Sequence, residues 1–189
     1  MEKVANTFFL SLLWLLFSLP IITAGSATTA CYSFLIKSAR DEEGYLFRSF
    51  YRSFKKNFWQ STLVWLLAIA VGLVLFYDYL LLFNMPTLGS FRVLILSVLF
   101  VLSFLYLVIV IYIFPLIAMY KVKTKKAIKD ALIIGFQYPL ITLLEIAIIA
   151  LVFVATYYLV PFFFIWFILG SFLSSFLLSY VFNALSEEL

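Results

Sequence analysis

Long apolar runs, separated by two short blocks of cations, dominate the chain. A transmembrane helix needs about 20 mostly apolar residues. Four runs meet that requirement: 60–83, 91–120, 136–154 and 158–185. The first of these would measure ~36 Å as a helix at 1.5 Å per residue. A fifth candidate is 4–24, with Pro20 near its end, where proline ends or kinks a helix. Lys3, an apolar middle and the small residues Ala24, Gly25, Ser26 and Ala27 also fit a cleaved signal peptide. The apolar run is too long for that class, and Glu2 weakens the basic start, so a retained helix is the better fit.

The cations set the expected orientation. Lys37, Arg40, Arg48, Arg52, Lys55 and Lys56 fill segment 37–56; Lys121, Lys123, Lys125, Lys126 and Lys129 fill segment 121–129. The intervening 84–90 and 155–157 carry none. Basic and neutral segments alternate, so segments 37–56 and 121–129 and the C-terminus are expected on the cytoplasmic side of a bacterial inner membrane. A single crossing by 4–24 puts the N-terminus outside and is the preferred reading. The alternative is that 23–39 returns as a short second limb, with Gly25, Ala27 and Ala30 allowing close packing and the N-terminus inside.

Composition sharpens the class. Hydrophobic residues make up 66% of the 189 and charged residues 12%, against about 45–50% and 25% in soluble domains. A water-soluble fold cannot hide that much apolar surface. The expected fold is all-α: a polytopic membrane helix bundle of about five transmembrane helices with basic amphipathic cytoplasmic helices, one domain over 1–189. With no His and one Cys, a His-based triad, a His/Cys metal site and an internal disulfide are excluded by counting. No cofactor is expected, and no Walker sequence, Gly-rich phosphate loop or nucleophile elbow is present. The net charge of +4 is explained by topology rather than by nucleic acid.

The first basic block has two faces. Phe47, Phe50, Tyr51, Phe54 and Phe58 follow helical spacing, and Arg48, Arg52, Lys55 and Lys56 follow a similar spacing on another side. That pattern suits a helix in the interface, rings in lipid and cations toward phosphate. The sharper reading is docking of a partner subunit. The second block has a related plan. Setting Phe58 against Phe136 aligns Arg48 with Lys126, Phe50 with Ile128, Tyr51 with Lys129 and Phe54 with Leu132. Each block leads into an apolar hairpin with Pro86 or Pro161 near its outer turn, so 44–119 and 122–185 form a candidate internal repeat.

Few polar residues interrupt the spans. Glu145 sits near the middle of 136–154, where a charge costs about 2.5–3.5 kcal/mol on insertion scales. Its readings are an interhelical hydrogen bond that fixes packing, or an intramembrane functional site. Asp78 and Arg92 flank a short loop and are a candidate structural ion pair near the outer interface. Gly170 and Ser174, four apart, make a small-residue face for helix packing. Trp14, Trp59, Trp65 and Trp166, with Tyr77 and Tyr79, read as belt residues at the interfaces.

Two stretches carry a resemblance. The first is Asn6-Thr7-Phe8-Phe9 leading through Trp14-Leu15-Leu16-Phe17-Ser18-Leu19-Pro20-Ile21-Ile22-Thr23 to Gly25-Ser26-Ala27-Thr28-Thr29-Ala30. The second is Glu43-Gly44-Tyr45 with Phe50-Tyr51-Arg52-Ser53-Phe54-Lys55-Lys56-Asn57-Phe58. Together they resemble the YesL-like family of small bacterial multi-pass membrane proteins. The specific part is confined to 6–60; beyond it only Tyr138-Pro139 is suggestive. The resemblance implies a setting beside carbohydrate importers of the ABC class, and no catalytic residues. Three functions follow as expectations. The first is a non-catalytic accessory or assembly subunit of a carbohydrate ABC importer. The second is an independent small-solute channel or carrier using Glu145, and the third a membrane regulator of a sugar-utilisation operon. Membrane lipid, importer permease subunits and a second copy of the chain are the expected partners.

Overall fold

The computed structural model describes residues 2–39, 45–84, 89–120, 123–158, 173–174 and 177. Among them every regular element is helical. In chain order these are α1 (Glu2–Ser18), a 3-10 turn (Ile21–Thr23), α2 (Ala24–Ala39), α3 (Leu46–Asn84), α4 (Gly89–Met119), α5 (Thr124–Gln137) and α6 (Pro139–Tyr158).

The expected single crossing at 4–24 is instead the first limb of a helical hairpin. Proline disfavours helical geometry in the residue before it, and α1 stops at Ser18, two residues short of Pro20. Pro20 itself is extended, with φ −75° and ψ 108°. The chain then turns back. The Thr23 hydroxyl donates to the Phe17 carbonyl at 2.6 Å, an acceptor that the end of α1 leaves open, while the Pro20 carbonyl accepts from the Thr23 N–H at 2.8 Å. Trp14 Nε1 donates to Thr28 Oγ1 at 3.1 Å, so α2 runs antiparallel to α1. The two limbs have 17 and 16 residues, each near 25 Å and shorter than a full bilayer core.

Small residues let α2 lie directly on α3. Ala27 and Ala30 are fully buried. A Cβ on Gly25 would strike Trp65 and come within 2.6 Å of the Ser61 carbonyl, so only glycine fits there. Thr29 Oγ1 lies 2.8 Å from Ser61 Oγ, and Trp65 Nε1 donates to the Ile21 carbonyl at 2.9 Å. The hairpin turn therefore reaches only the middle of α3. Trp14 and Trp65, both half-buried, spend their N–H groups on Thr28 and the Ile21 carbonyl, whereas Trp59, 83% exposed, faces outward.

Beyond that level α3 and α4 continue as an antiparallel pair, held by Tyr106 Oη donating to the Ala68 carbonyl at 3.0 Å and by Tyr79 with Ser103 at 3.3 Å. Leu73, Phe76, Phe83, Phe91 and Phe100 all stand more than 60% exposed. Apolar side chains on every face suit a helix in lipid. Among the described residues, α3 and Phe91–Met119 are the two helices long and apolar enough to cross a membrane.

The expected span 136–154 is broken. Phe136 and Gln137 end α5, and α6 begins at Pro139 with the axis turned by 102°. Tyr138 sits outside the helical region, at φ −119° and ψ 63°. Counting the bent pair as one span raises the total among the described residues to three. The expected span 158–185 falls almost wholly outside them, as does most of the second half of the candidate repeat.

Candidate functional site

The break at Tyr138–Pro139 builds the polar cluster in the core. Gly135 stands four residues before Pro139, which has no N–H to donate to its carbonyl. The Thr142 hydroxyl fills that vacancy at 3.0 Å. The Tyr112 phenol from α4 pairs with the same Thr142 oxygen at 2.9 Å. With Thr142 donating to Gly135, Tyr112 donates to Thr142 and the chain of bonds closes. Tyr112 and Thr142 are 0% and 2% exposed, so an unmade bond here leaves a desolvated group costing about 1–3 kcal/mol. Close approach of α5 to α4 requires Gly135, where a Cβ would run into the Val108 side chain.

One helical turn past Thr142, on the same face, comes Glu145. It is 1% exposed. The Ser174 hydroxyl hydrogen-bonds its carboxyl, and the phenols of Tyr32 on α2 and Tyr112 on α4 lie within electrostatic reach. Oε1 has no hydrogen-bond partner among the described residues. The arrangement offers one carboxyl, two phenols and two hydroxyls within the protein interior. It can hold a proton or a small polar group. No group of three His, Cys, Asp or Glu residues suited to a metal occurs among the described residues.

Glu145 and Ser174 were each singled out from sequence for separate reasons, and the fold brings them together. Gly170, the other member of the small-residue pair, lies outside the described residues. Tyr32, Tyr112 and Thr142 were missed. Thr142, three positions before Glu145 and following Pro139, is the one with a local signal.

Asp78 and Arg92 do not pair. Among the described residues no ion pair joins them; the Arg92 guanidinium lies 5.7 Å from the Phe83 ring centroid. Phe83 stands about 7.5 Å farther along α3 than Asp78, so Arg92 at the start of α4 meets the ring first.

The first basic block also differs from expectation. It is not a separate interfacial helix but the opening turns of α3, continuous with the span. Phe50 is fully buried, its ring 5.4 Å from that of Phe17, and Phe54 packs on Phe17 at 5.0 Å. These rings hold α1 rather than facing lipid. Phe58 is half-buried against Phe54 and Trp59. Phe47 and Tyr51, stacked and exposed, form the outward aromatic face. Arg48, Arg52, Lys55 and Lys56 are all exposed.

Comparison with known proteins agrees with the resemblance seen in 6–60. Residues 7–79 match the family model described as "Protein of unknown function, DUF624". The chain is 29% identical over 143 residues to the uncharacterized protein YesL of Bacillus subtilis (strain 168). That alignment covers 74% of this chain and 66% of YesL, just under two thirds of the relative's length. It is 25% identical over 169 residues to the uncharacterized protein YteU of the same organism, covering 86% of this chain and 75% of YteU. No solved structure matches. The similarity to a YesL-like family is thereby shown.

Proposed function

We propose, with the similarity to the YesL-like family as premise, that this chain is a non-catalytic integral membrane subunit serving as accessory or assembly factor of a carbohydrate ABC importer. The observation that carries the reading is the α3–α4 pair. Its outer half presents exposed apolar side chains, and along α3 and α4 runs an open apolar groove of about 470 Å³ that includes Val71, Leu75 and Leu102, which suits lipid and the spans of a permease better than a reaction. The absence of nucleotide-binding motifs assigns ATP hydrolysis to another subunit. With the basic segments on the cytoplasmic side of a bacterial inner membrane, the return of α2 puts the N-terminus on that side too. Lipid, permease subunits or a second copy are the partners this surface fits. Co-purification from native membranes in mild detergent tests the proposal. Recovery of permease subunits with the chain is the expected outcome, and recovery of the chain alone contradicts it.

A second reading rests on Glu145. A buried carboxyl with one unpartnered oxygen, ringed by hydroxyls, suits a proton- or cation-linked carrier. Flux in proteoliposomes that disappears in Glu145→Gln supports it. Unchanged flux removes Glu145 from the mechanism, and no flux in the parent removes the reading.

A further inference from the structure

We propose that the basic end of the bundle holds a binding groove for a phosphate-bearing anion, built by α2, the first turns of α3 and the end of α4. The groove has a volume of about 570 Å³, within the range of small-ligand sites. Four cations line it: Lys37 from α2, and Arg48, Arg52 and Lys56 from α3. Among the described residues no carboxylate lines it, and none of the four cations has an acidic partner.

The helix explains the convergence. Arg48, Ser49, Arg52, Ser53 and Lys56 are linked by three- and four-residue steps into one continuous stripe of α3, and Tyr45 precedes its first turn. Phe50, buried, and Phe54, half-buried, occupy the neighbouring stripe and pack on Phe17, which fixes the rotation of α3 about its axis. Ser33 and Lys37, one turn apart on α2, face the stripe across the antiparallel contact; Ala118 and Met119 of α4 complete the lining. Lys55, equally charged and exposed, is not part of it.

The donor set is selective. Two guanidiniums with planar forks, two ammoniums and the hydroxyls of Ser33, Ser49 and Ser53 supply hydrogen-bond donors around one concavity. Arginine forks match phosphate oxygens in pairs. Like charges held this close repel one another unless an anion sits among them. The basic rim next to an exposed aromatic pair, Phe47 and Tyr51, is also the setting in which a lipid headgroup reaches a protein. A lipid phosphate and a free phosphate share this chemistry. The proposal does not depend on the accessory-subunit reading.

The test uses the full chain in neutral detergent, titrated in one arm with phosphatidylglycerol and in the other with inorganic phosphate. Phosphatidylcholine is the zwitterionic control, and bound ligand is read by native mass spectrometry. Binding in the lipid arm alone identifies a headgroup site; binding in both arms identifies a site for which phosphate suffices. In either case Arg48→Gln/Arg52→Gln is expected to weaken binding about thirtyfold, from two surface cations lost. Arg48→Lys/Arg52→Lys recovers part of it, and Lys55→Gln stays within about twofold. Far-ultraviolet circular dichroism confirms that each variant keeps its helices. Binding in neither arm overturns the proposal, as does a loss in Lys55→Gln equal to that of the double variant.

Discussion

α3 and the α5–α6 pair begin alike and end differently. Both open with a basic amphipathic stretch and pass directly into apolar sequence. Under the alignment of Phe58 with Phe136, Ser61 of α3 stands where Pro139 stands between α5 and α6. At Ser61 the helix runs on and the hydroxyl meets Thr29 at 2.8 Å. At Pro139 the N–H is missing, Tyr138 leaves the helical region and the axis swings by 102°. The uninterrupted helix is long and apolar enough to cross a membrane, and its outer half is exposed. The interrupted pair turns inward and carries Thr142 and Glu145 into the core. One imino acid thus separates an anchor from a polar site.

Moving the break is the most damaging way to test this. Ser61→Pro puts a proline inside α3, removes its backbone bond and deletes the Thr29 contact. A loss of about 3 kcal/mol or more is expected, read by denaturant unfolding in detergent. Next come the glycines at which α2 meets α3 and α5 meets α4. Gly25→Ala drives a Cβ against the backbone of α3 and is expected to cost about 2–3 kcal/mol. Gly135→Ala meets a Val108 methyl instead, and a loss of about 1–2 kcal/mol is expected in the same assay. If Gly135 proves the costlier position, α5 rather than α2 is the tightly docked element.

The smallest effects separate the hydrogen bonds. Thr142→Val strands the Gly135 carbonyl and the Tyr112 phenol, for a loss of about 1–2 kcal/mol. Thr29→Val leaves backbone bonding on both helices intact and should cost about 0.6 kcal/mol, the average for an interhelical bond in a membrane protein. Equal losses would show that the proline break creates no special demand on Thr142.

What the sequence made visible follows from how local each cause is. α4 and the long apolar part of α3 were legible because length and hydropathy are properties of the run itself. Gly25, Ala27 and Ala30 pointed to close packing, yet the shortness of 26–39 argued for a single crossing at 4–24. Shortness misled because α2 is a limb packed on α3 and has no need to cross alone. Tyr138-Pro139 was noticed as a family feature and not as the end of a helix, so 136–154 was read as one span. Glu145 announced itself by its charge. Its neighbours Tyr32 and Tyr112 did not, because the register of α2 and α4 against α6 is decided by tertiary packing. The same reason hid the burial of Phe50: its stripe is apolar either way, and only Phe17 decides what it faces.

Spin-label distances in matched pairs compare α3 with the α5–α6 pair directly. Phe47 with Val71 on α3, and Lys125 with Ile149 across α5–α6, are equally separated in sequence and exposed. With Cys31 replaced by Ser and each pair changed to Cys, backbone rise alone puts an unbroken helix at ~36 Å. The account predicts that value for α3, and about 23 Å across α5–α6 from the 102° bend. A distance near 36 Å for both pairs would contradict it.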